Sequence, residues 1–85
     1  MKLDYDPEAD AAYIRLRDRP VVRTEEESDV CILDFDAEGS LAAIELLSVF
    51  GFAGASLRAV ARRGLLSTGE VDELLAGLRR EAVAA

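Results

Sequence analysis

The first fifty residues alternate between apolar and polar positions with the two-residue period of a β-strand. The segment "KLDY" places Leu3 and Tyr5 on one face, and "AAYIRLR" places Ile14 and Leu16 on one face. The segments "DPEAD", "DRP", "SD" and "DAEG" contain the residue types of tight turns and separate the short runs. The pattern predicts an antiparallel β-meander of four or five strands with short connections.

Two later runs, "VCILDF" and "LAAIELLSV", differ from the others because both of their faces are apolar. In a small α+β domain the core covers one face of the sheet, so the second face of these strands needs another cover. That cover is either a later part of the chain or a second subunit. The pattern therefore favours a homo-oligomer, most simply a dimer.

After the small-residue stretch "GFAGAS" the hydrophobic period becomes that of a helix. A first helix is predicted from the N-cap Ser56 to Gly64, and a second helix opens with Ser67 and Glu70 at capping-box spacing. The second helix has an apolar stripe at i, i+3, i+4 and i+7, formed by Val71, Leu74, Leu75 and Leu78. We expect this stripe to form an interface with the sheet or with a partner subunit.

These elements predict one structural domain of the α+β class, a β-meander followed by two C-terminal α-helices. Residues 1–50 form the sheet, and residues 51–85 form a helical tail. The tail packs either on the sheet or on a partner subunit, and the pattern leaves both arrangements open.

The net charge of −7 is concentrated in the sheet, because residues 1–50 contain 13 acidic and 5 basic residues. An acidic surface repels phosphate backbones, which makes nucleic-acid binding unlikely and suits a basic protein partner. Three of the five arginines of the helical tail, Arg58, Arg62 and Arg63, form a basic stripe, which leaves a DNA-binding regulator as an alternative. We favour ion pairs between these arginines and the acidic sheet.

Several classes of chemistry are excluded by composition. The chain has no histidine and one cysteine, which removes Cys–His and Ser–His–Asp catalysis and zinc sites of cysteine and histidine. Cys31 lies in an apolar run, so we expect a buried structural thiol in a reducing cytoplasm. No apolar run approaches the length of a membrane helix, and the N-terminal segment does not resemble a signal peptide. These features predict a cytoplasmic protein without membrane contact.

A metal site is suggested by the acids that follow the fourth run, which have nearly the spacing of a calcium-binding EF-hand loop. Asp34, Asp36, Glu38 and Glu45 occupy loop positions 1, 3, 5 and 12, with Gly39 at position 6. The flanking residues are typical of strands rather than helices, and "DAEG" is typical of a hairpin turn with a glycine bulge. Strand alternation on that register sends Asp34 and Glu45 to opposite faces of the sheet. With the alternative two-residue loop they share a face but lie roughly 13 Å apart, so neither register lets both hold one cation. We therefore expect neither a metal ion nor another cofactor.

Five polar residues are the candidates for a functional or structural role. Glu45 lies in an apolar strand, where it would serve as a general base in a cleft or, as we favour, as a rim residue paired with an arginine. Asp6 and Asp10 would form an acid–base pair or, as we favour, cap a turn. Tyr13 and Asp34 complete a possible ligand-binding or enzymatic set with Glu45.

Two separated motifs carry a family resemblance. The segments "YDPEADAAYIRLRD" and "VCILDFDAEGSLAAIELLSV" match the patterns YD-x-x-x-D-x-x-Y-I and D-x-D-x-x-G-x-x-x-x-I-E-I-L. The matching positions are Tyr5, Asp6, Asp10, Tyr13, Ile14, Asp34, Asp36, Gly39, Ile44 and Glu45, followed by Leu46 and Leu47. Over residues 1 to about 50 the chain resembles the bacterial and archaeal family called domain of unknown function 2283. The resemblance implies no established activity, and some members look like partners in toxin–antitoxin gene pairs.

Three functions are consistent with the sequence. We favour a small cytoplasmic protein-interaction or oligomerisation module without enzymatic activity, in its most concrete form an antitoxin-like binder of a basic partner. The first alternative is a small ligand-binding or enzymatic domain that uses Glu45, Asp34 and Tyr13. The second alternative is a DNA-binding regulator that uses the helical tail.

Overall fold

A computed structural model of the chain describes residues 1–84, and residue 85 of the predicted tail lies outside the described residues. This range contains one five-stranded antiparallel sheet and two C-terminal helices, so the predicted α+β fold is confirmed. None of its helices is both long enough and apolar enough to cross a membrane. The elements are β1 (Lys2–Asp6), β2 (Ala11–Arg15), β3 (Arg23–Ser28), β4 (Cys31–Phe35), β5 (Leu41–Leu46), α1 (Val49–Arg62) and α2 (Thr68–Ala84).

The strands are arranged in the order β1-β2-β5-β4-β3. The last three strands form a sequential meander, and the β1–β2 hairpin attaches to it because β2 pairs with β5. Strand β5 therefore lies at the centre of the sheet, and five of its six residues are buried. The edge strands β1 and β3 are rich in charged residues, and such residues discourage pairing with the edge of another sheet.

A β-bulge interrupts the pairing of β4 with β5 close to their connecting loop. Asp34 pairs with Ala43, so Ala42 is an extra residue in β5. One extra residue reverses the side to which every later residue of that strand points. The prediction that Asp34 and Glu45 lie on opposite faces is therefore wrong, because both lie on the same face.

The first helix begins at Val49, well before the predicted N-cap Ser56. The stretch "GFAGAS", which the pattern placed before the helix, forms its first two turns. Ser48 occupies the N-cap position in a left-handed conformation and makes no side-chain capping bond. The start of α1 depends instead on a contact with the β1–β2 turn, described below. The end of the helix agrees with the prediction, since Gly64 has φ of +78°, as a C′ glycine requires.

Both helices pack on the same face of the sheet and form one hydrophobic core with it. The predicted interface stripe belongs to this core: Val71, Leu74 and Leu78 are buried, and Leu75 is partly buried against it. Of the two contacts that the sequence left open for this stripe, the structure shows the one with the chain's own sheet.

Cys31 lies on the core face of β4 and is fully buried, as the apolar run predicted. Burial raises the pKa of its thiol to about 11, so the residue remains protonated at neutral pH. Its role is packing.

Candidate functional site

The second face of the sheet is left uncovered by both helices in residues 1–84. We call this surface the open face. It contains five carboxylates and two cationic side chains, together with small and apolar residues. The residues of the open face are Lys2, Asp4, Asp6, Ala11, Tyr13, Arg15, Thr24, Glu26, Ile32, Asp34, Ala43 and Glu45.

A polar bridge crosses the centre of the open face. The Tyr13 hydroxyl donates to Asp34 Oδ2 at 3.1 Å, and the Thr24 hydroxyl donates to Asp34 Oδ1 at 2.8 Å. Because β5 separates β2 from β4, the Tyr13 side chain must reach over β5 to make this bond. Ala43 of β5 lies in its path and is only 1% exposed, although no helix covers this face. The bridge therefore acts as a cover for the middle of the sheet.

The bridge holds its proton on the tyrosine. Partial burial, followed by the hydrogen bond to Asp34, raises the pKa of Tyr13 above its ordinary value. The Arg15 guanidinium opposes this rise and lies 5.9 Å from the ring centroid. A neutral tyrosine that donates to a carboxylate holds both side chains in place, and Tyr13 itself does not act as a base at neutral pH.

Tyr13→Phe is expected to reduce the loss of stability at alkaline pH. A raised pKa in the folded state means that the folded chain keeps the proton after the unfolded chain has lost it, so stability falls as pH rises above about 10. The measurement is urea unfolding of both proteins between about pH 9 and about pH 11. An unchanged slope in Tyr13→Phe would contradict the assignment. Tyr5→Phe measures how much the second tyrosine contributes to the same slope, because the pKa of Tyr5 is also raised, mainly by its bond to Asp10.

Glu45 lies next to the polar bridge on the open face. It pairs with Tyr13 on β2 and with Ile32 on β4, and it is half-buried. The ion pair with an arginine that its apolar surroundings predicted is not found among residues 1–84. The bulge in β5 turns Glu45 away from the helices and their arginines, and Arg15, which shares the open face, does not form an ion pair with it within residues 1–84. Its carboxylate is therefore presented on the open face.

Asp6 and Asp10 act within the β1–β2 turn and at the start of a helix. Asp6 Oδ1 accepts the amide of Glu8 at 3.0 Å, as the turn interpretation predicted. Asp10 has a positive φ of 50°, and its carboxylate accepts the Phe50 amide at 3.1 and 3.3 Å. The Asp10 carbonyl accepts the Val49 amide at 3.0 Å. Asp10 therefore caps α1 from a distant turn, and its negative charge suits the positive end of the helix dipole.

Three of the four acids with EF-hand spacing, Asp34, Asp36 and Glu38, accept hydrogen bonds inside the chain. Asp36 is buried and its Oδ1 accepts the amides of Glu38 and Ser40, each at 2.9 Å. Gly39 has φ of +81°, which completes the tight loop. The described residues contain no group of three or more His, Cys, Asp or Glu residues placed to hold a metal ion. The spacing therefore reflects hairpin geometry.

The three arginines of the predicted basic stripe separate into two groups. Arg63 lies 2.9 Å from Glu25 Oε2 and also contacts Glu27, both on β3, which confirms the predicted ion pair with the acidic sheet for this residue. Arg58 and Arg62 are exposed. The ion pairs of Arg63 attach the end of α1 to an edge strand.

Sequence reasoning did not identify Thr24 and Ala43 as parts of the central bridge. Thr24 pairs with Asp34 through the register of β3 with β4, and Ala43 reaches the open face through the bulge. The turn residues "SD" indicate that β3 and β4 form a hairpin, which brings Thr24 and Asp34 together, but the pattern contains no signal for the bulge in β5.

The comparisons with known proteins agree with the motifs. A family profile with the description "Protein of unknown function (DUF2283)" matches residues 2–49, more than half of the chain. This segment includes all five strands and ends where α1 begins. No curated protein and no solved structure matches the chain. The chain belongs to the family described as "Protein of unknown function (DUF2283)".

Proposed function

We propose that this protein is a protein-interaction module whose open face binds a basic segment of a partner protein. The observation that carries the proposal is the charge of that face, where five carboxylates accompany two cationic side chains on a surface that neither helix covers. Carboxylates arranged on a rigid sheet attract a cationic partner and orient it before contact.

The form of the open face favours a macromolecular partner. Its residues lie side by side on a pleated sheet, whereas sites for small molecules are concave. Tyr13, Ile32 and the buried Ala43 add apolar surface on the inner strands, next to Asp34 and Glu45, and the edge strands carry the other carboxylates. A surface that combines apolar and charged residues in this way is typical of interfaces between proteins.

Binding is better supported than catalysis. Asp34 accepts two hydrogen bonds, and Tyr13 is held in its neutral form, so these two residues position the surface rather than activate a reactant. Glu45 remains as a carboxylate that can accept hydrogen bonds from an incoming arginine or lysine. The same chemistry would allow the open face to compete with phosphate groups for the basic residues of a nucleic-acid-binding protein.

The most concrete form of this proposal is antitoxin-like neutralisation of a small basic ribonuclease in the cytoplasm. The resemblance to a family with members that look like toxin–antitoxin partners supports this form. A buried, protonated Cys31 is compatible with that compartment. Neutralisation would follow from coverage of the basic surface with which such an enzyme holds RNA.

The test compares two variants with the same change in charge on opposite sides of the molecule. Glu45→Lys reverses one charge on the open face, and Glu81→Lys reverses one exposed charge on α2. A fluorescent arginine-rich peptide is the probe, and its binding is followed by anisotropy at about 0.05 M and about 0.5 M salt. We expect the open-face variant to bind at least about tenfold more weakly than wild type, and the α2 variant to change much less. Equal weakening in both variants would show a general charge effect and contradict the proposal.

A further inference from the structure

A groove runs between α1 and α2 on the side of the helices that faces away from the sheet. The two helices are antiparallel neighbours, so the start of α1 lies beside the end of α2. At this end Phe50 is 90% exposed and Val83 is 82% exposed, next to the apolar floor of Val49 and Leu75. Such exposure of large apolar side chains at one place marks a contact surface.

The opposite end of the same groove contains a hollow of about 340 Å³. We call it the Arg58 hollow. Its apolar floor is formed by Ala61 and Val71, and its sides are formed by polar and charged residues. The residues that line it are Arg58, Ala61, Arg62, Thr68, Val71 and Asp72. The groove thus has a protruding phenyl ring at one end and an unfilled hollow at the other.

We propose that a second copy of this chain occupies the groove. A twofold axis across the middle of the groove brings the Phe50 end of each copy over the Arg58 hollow of the other. Both rings are then buried by the same operation, as a closed dimer requires. The guanidinium groups of Arg58 and Arg62 beside the hollow add cation–π contacts to each ring.

The charges of α2 are complementary in this arrangement. Asp72 and Glu73 lie in the first half of the helix, and Arg79 and Arg80 lie in the second half, all exposed. Antiparallel packing of α2 on its own copy places Asp72 opposite Arg79 and Glu73 opposite Arg80, with Ala76 near the axis. The small Ala76 side chain permits close approach of the two helices.

A second copy is favoured over an unrelated partner because the two helices of one chain carry both members of each complementary pair: the ring and the hollow, and the acids and the arginines. The ring and the hollow lie at matched ends of one groove, and the acids and arginines lie at matched ends of one helix. The dimer surface is on the side of the molecule opposite to the open face. Failure of one proposal would therefore leave the other unaffected.

The first experiment measures the oligomeric state of the full chain by sedimentation velocity from about 1 to about 500 µM. We expect wild type to be a dimer in the upper part of this range. Phe50→Ala should weaken dimerisation at least about tenfold, because a buried aromatic side chain is the typical anchor of an interface. Phe52→Ala is the matched control: Phe52 is 53% exposed on the other flank of α1, and its loss should leave the dimer intact.

Three results would overturn the dimer: a wild-type monomer at the highest concentration, an unchanged Phe50→Ala, or equal dissociation by Phe52→Ala. Since Phe50 is 90% exposed, thermal unfolding followed by circular dichroism should show that Phe50→Ala folds normally when it is monomeric.

The second experiment tests the antiparallel geometry by exchange of charges. Asp72→Arg and Arg79→Glu each place like charges together across the axis and should weaken the dimer. The double variant restores opposite charges and should dimerise like wild type to within about threefold. Additive weakening in the double variant would exclude this orientation of the two copies.

Discussion

Leu74→Ala is expected to lower the free energy of unfolding by about 2–5 kcal/mol. Leu74 is fully buried between α2 and the sheet, so its truncation leaves a cavity in the single core of the protein. The size of the effect depends on the packing of the helical tail on its own sheet. If the tail packed on another subunit, Leu74→Ala would instead lower the stability of the oligomer.

The measurement is urea unfolding at several protein concentrations. Leu75→Ala is the matched control, because Leu75 is the next residue of the same helix and is only partly buried. We expect a smaller loss for Leu75→Ala. An effect of Leu74→Ala that vanishes at high protein concentration would contradict packing within the chain, since mass action would then restore the contact.

Asp10→Ala is expected to lower the free energy of unfolding by about 2–3 kcal/mol. The substitution removes the side chain that caps α1 at the Phe50 amide and accepts the hydroxyl of Tyr5. It also forces alanine into a left-handed conformation with φ of 50°, which aspartate and asparagine tolerate better. Two independent penalties therefore act at one exposed turn.

Asp10→Asn separates the two penalties. Asparagine tolerates the left-handed conformation and keeps one oxygen acceptor, so we expect less than half of the loss seen with alanine. Tyr5→Phe removes the bond to Asp10 at 2.9 Å without affecting the helix amide. Equal losses for the alanine and asparagine variants would show that the charge, rather than the cap geometry and the backbone conformation, carries the effect.

The motif residues by which the family is recognised are joined to one another or to nearby backbone. Tyr5 bonds to Asp10, Tyr13 bonds to Asp34, and Asp36 bonds to the amides of its own loop. Much of the family pattern is therefore explained by fold stability. Glu45 is different, because the described residues leave its carboxylate unbonded on the open face. It is the motif residue for which a partner protein offers the best physical explanation.

The periods of the hydrophobic pattern were enough to predict the class of fold. Short alternating runs with turn residues between them gave the strands, and the capping box at Ser67 and Glu70 is present with bonds of 2.8 and 3.0 Å. The turn interpretation of "DAEG" is also supported by the bonds of Asp36. These features depend on residues that are near one another in the chain, so local chemistry is sufficient to predict them.

Contacts between distant residues account for the differences. The start of α1 at Val49 depends on Asp10, which lies in another turn, and no local N-cap signal marks it. The face occupied by Glu45 depends on one extra residue in β5, because a single bulge reverses strand parity. The apolar stripe of α2 can be recognised from its helical period, but the period does not distinguish packing on the sheet from packing on a partner subunit.

The amino-acid sequence by itself determined the α+β class, the turns, the second helix and the family of this protein, because each depends on local spacing. Tertiary structure alone decided the strand order, the bulge, the distant cap of α1 and the burial of the Leu74 stripe. The physical reason is that strand pairing and helix docking depend on contacts between distant residues, which together bury the apolar surface of the whole chain. The acidic open face and the exposed Phe50 are products of that choice.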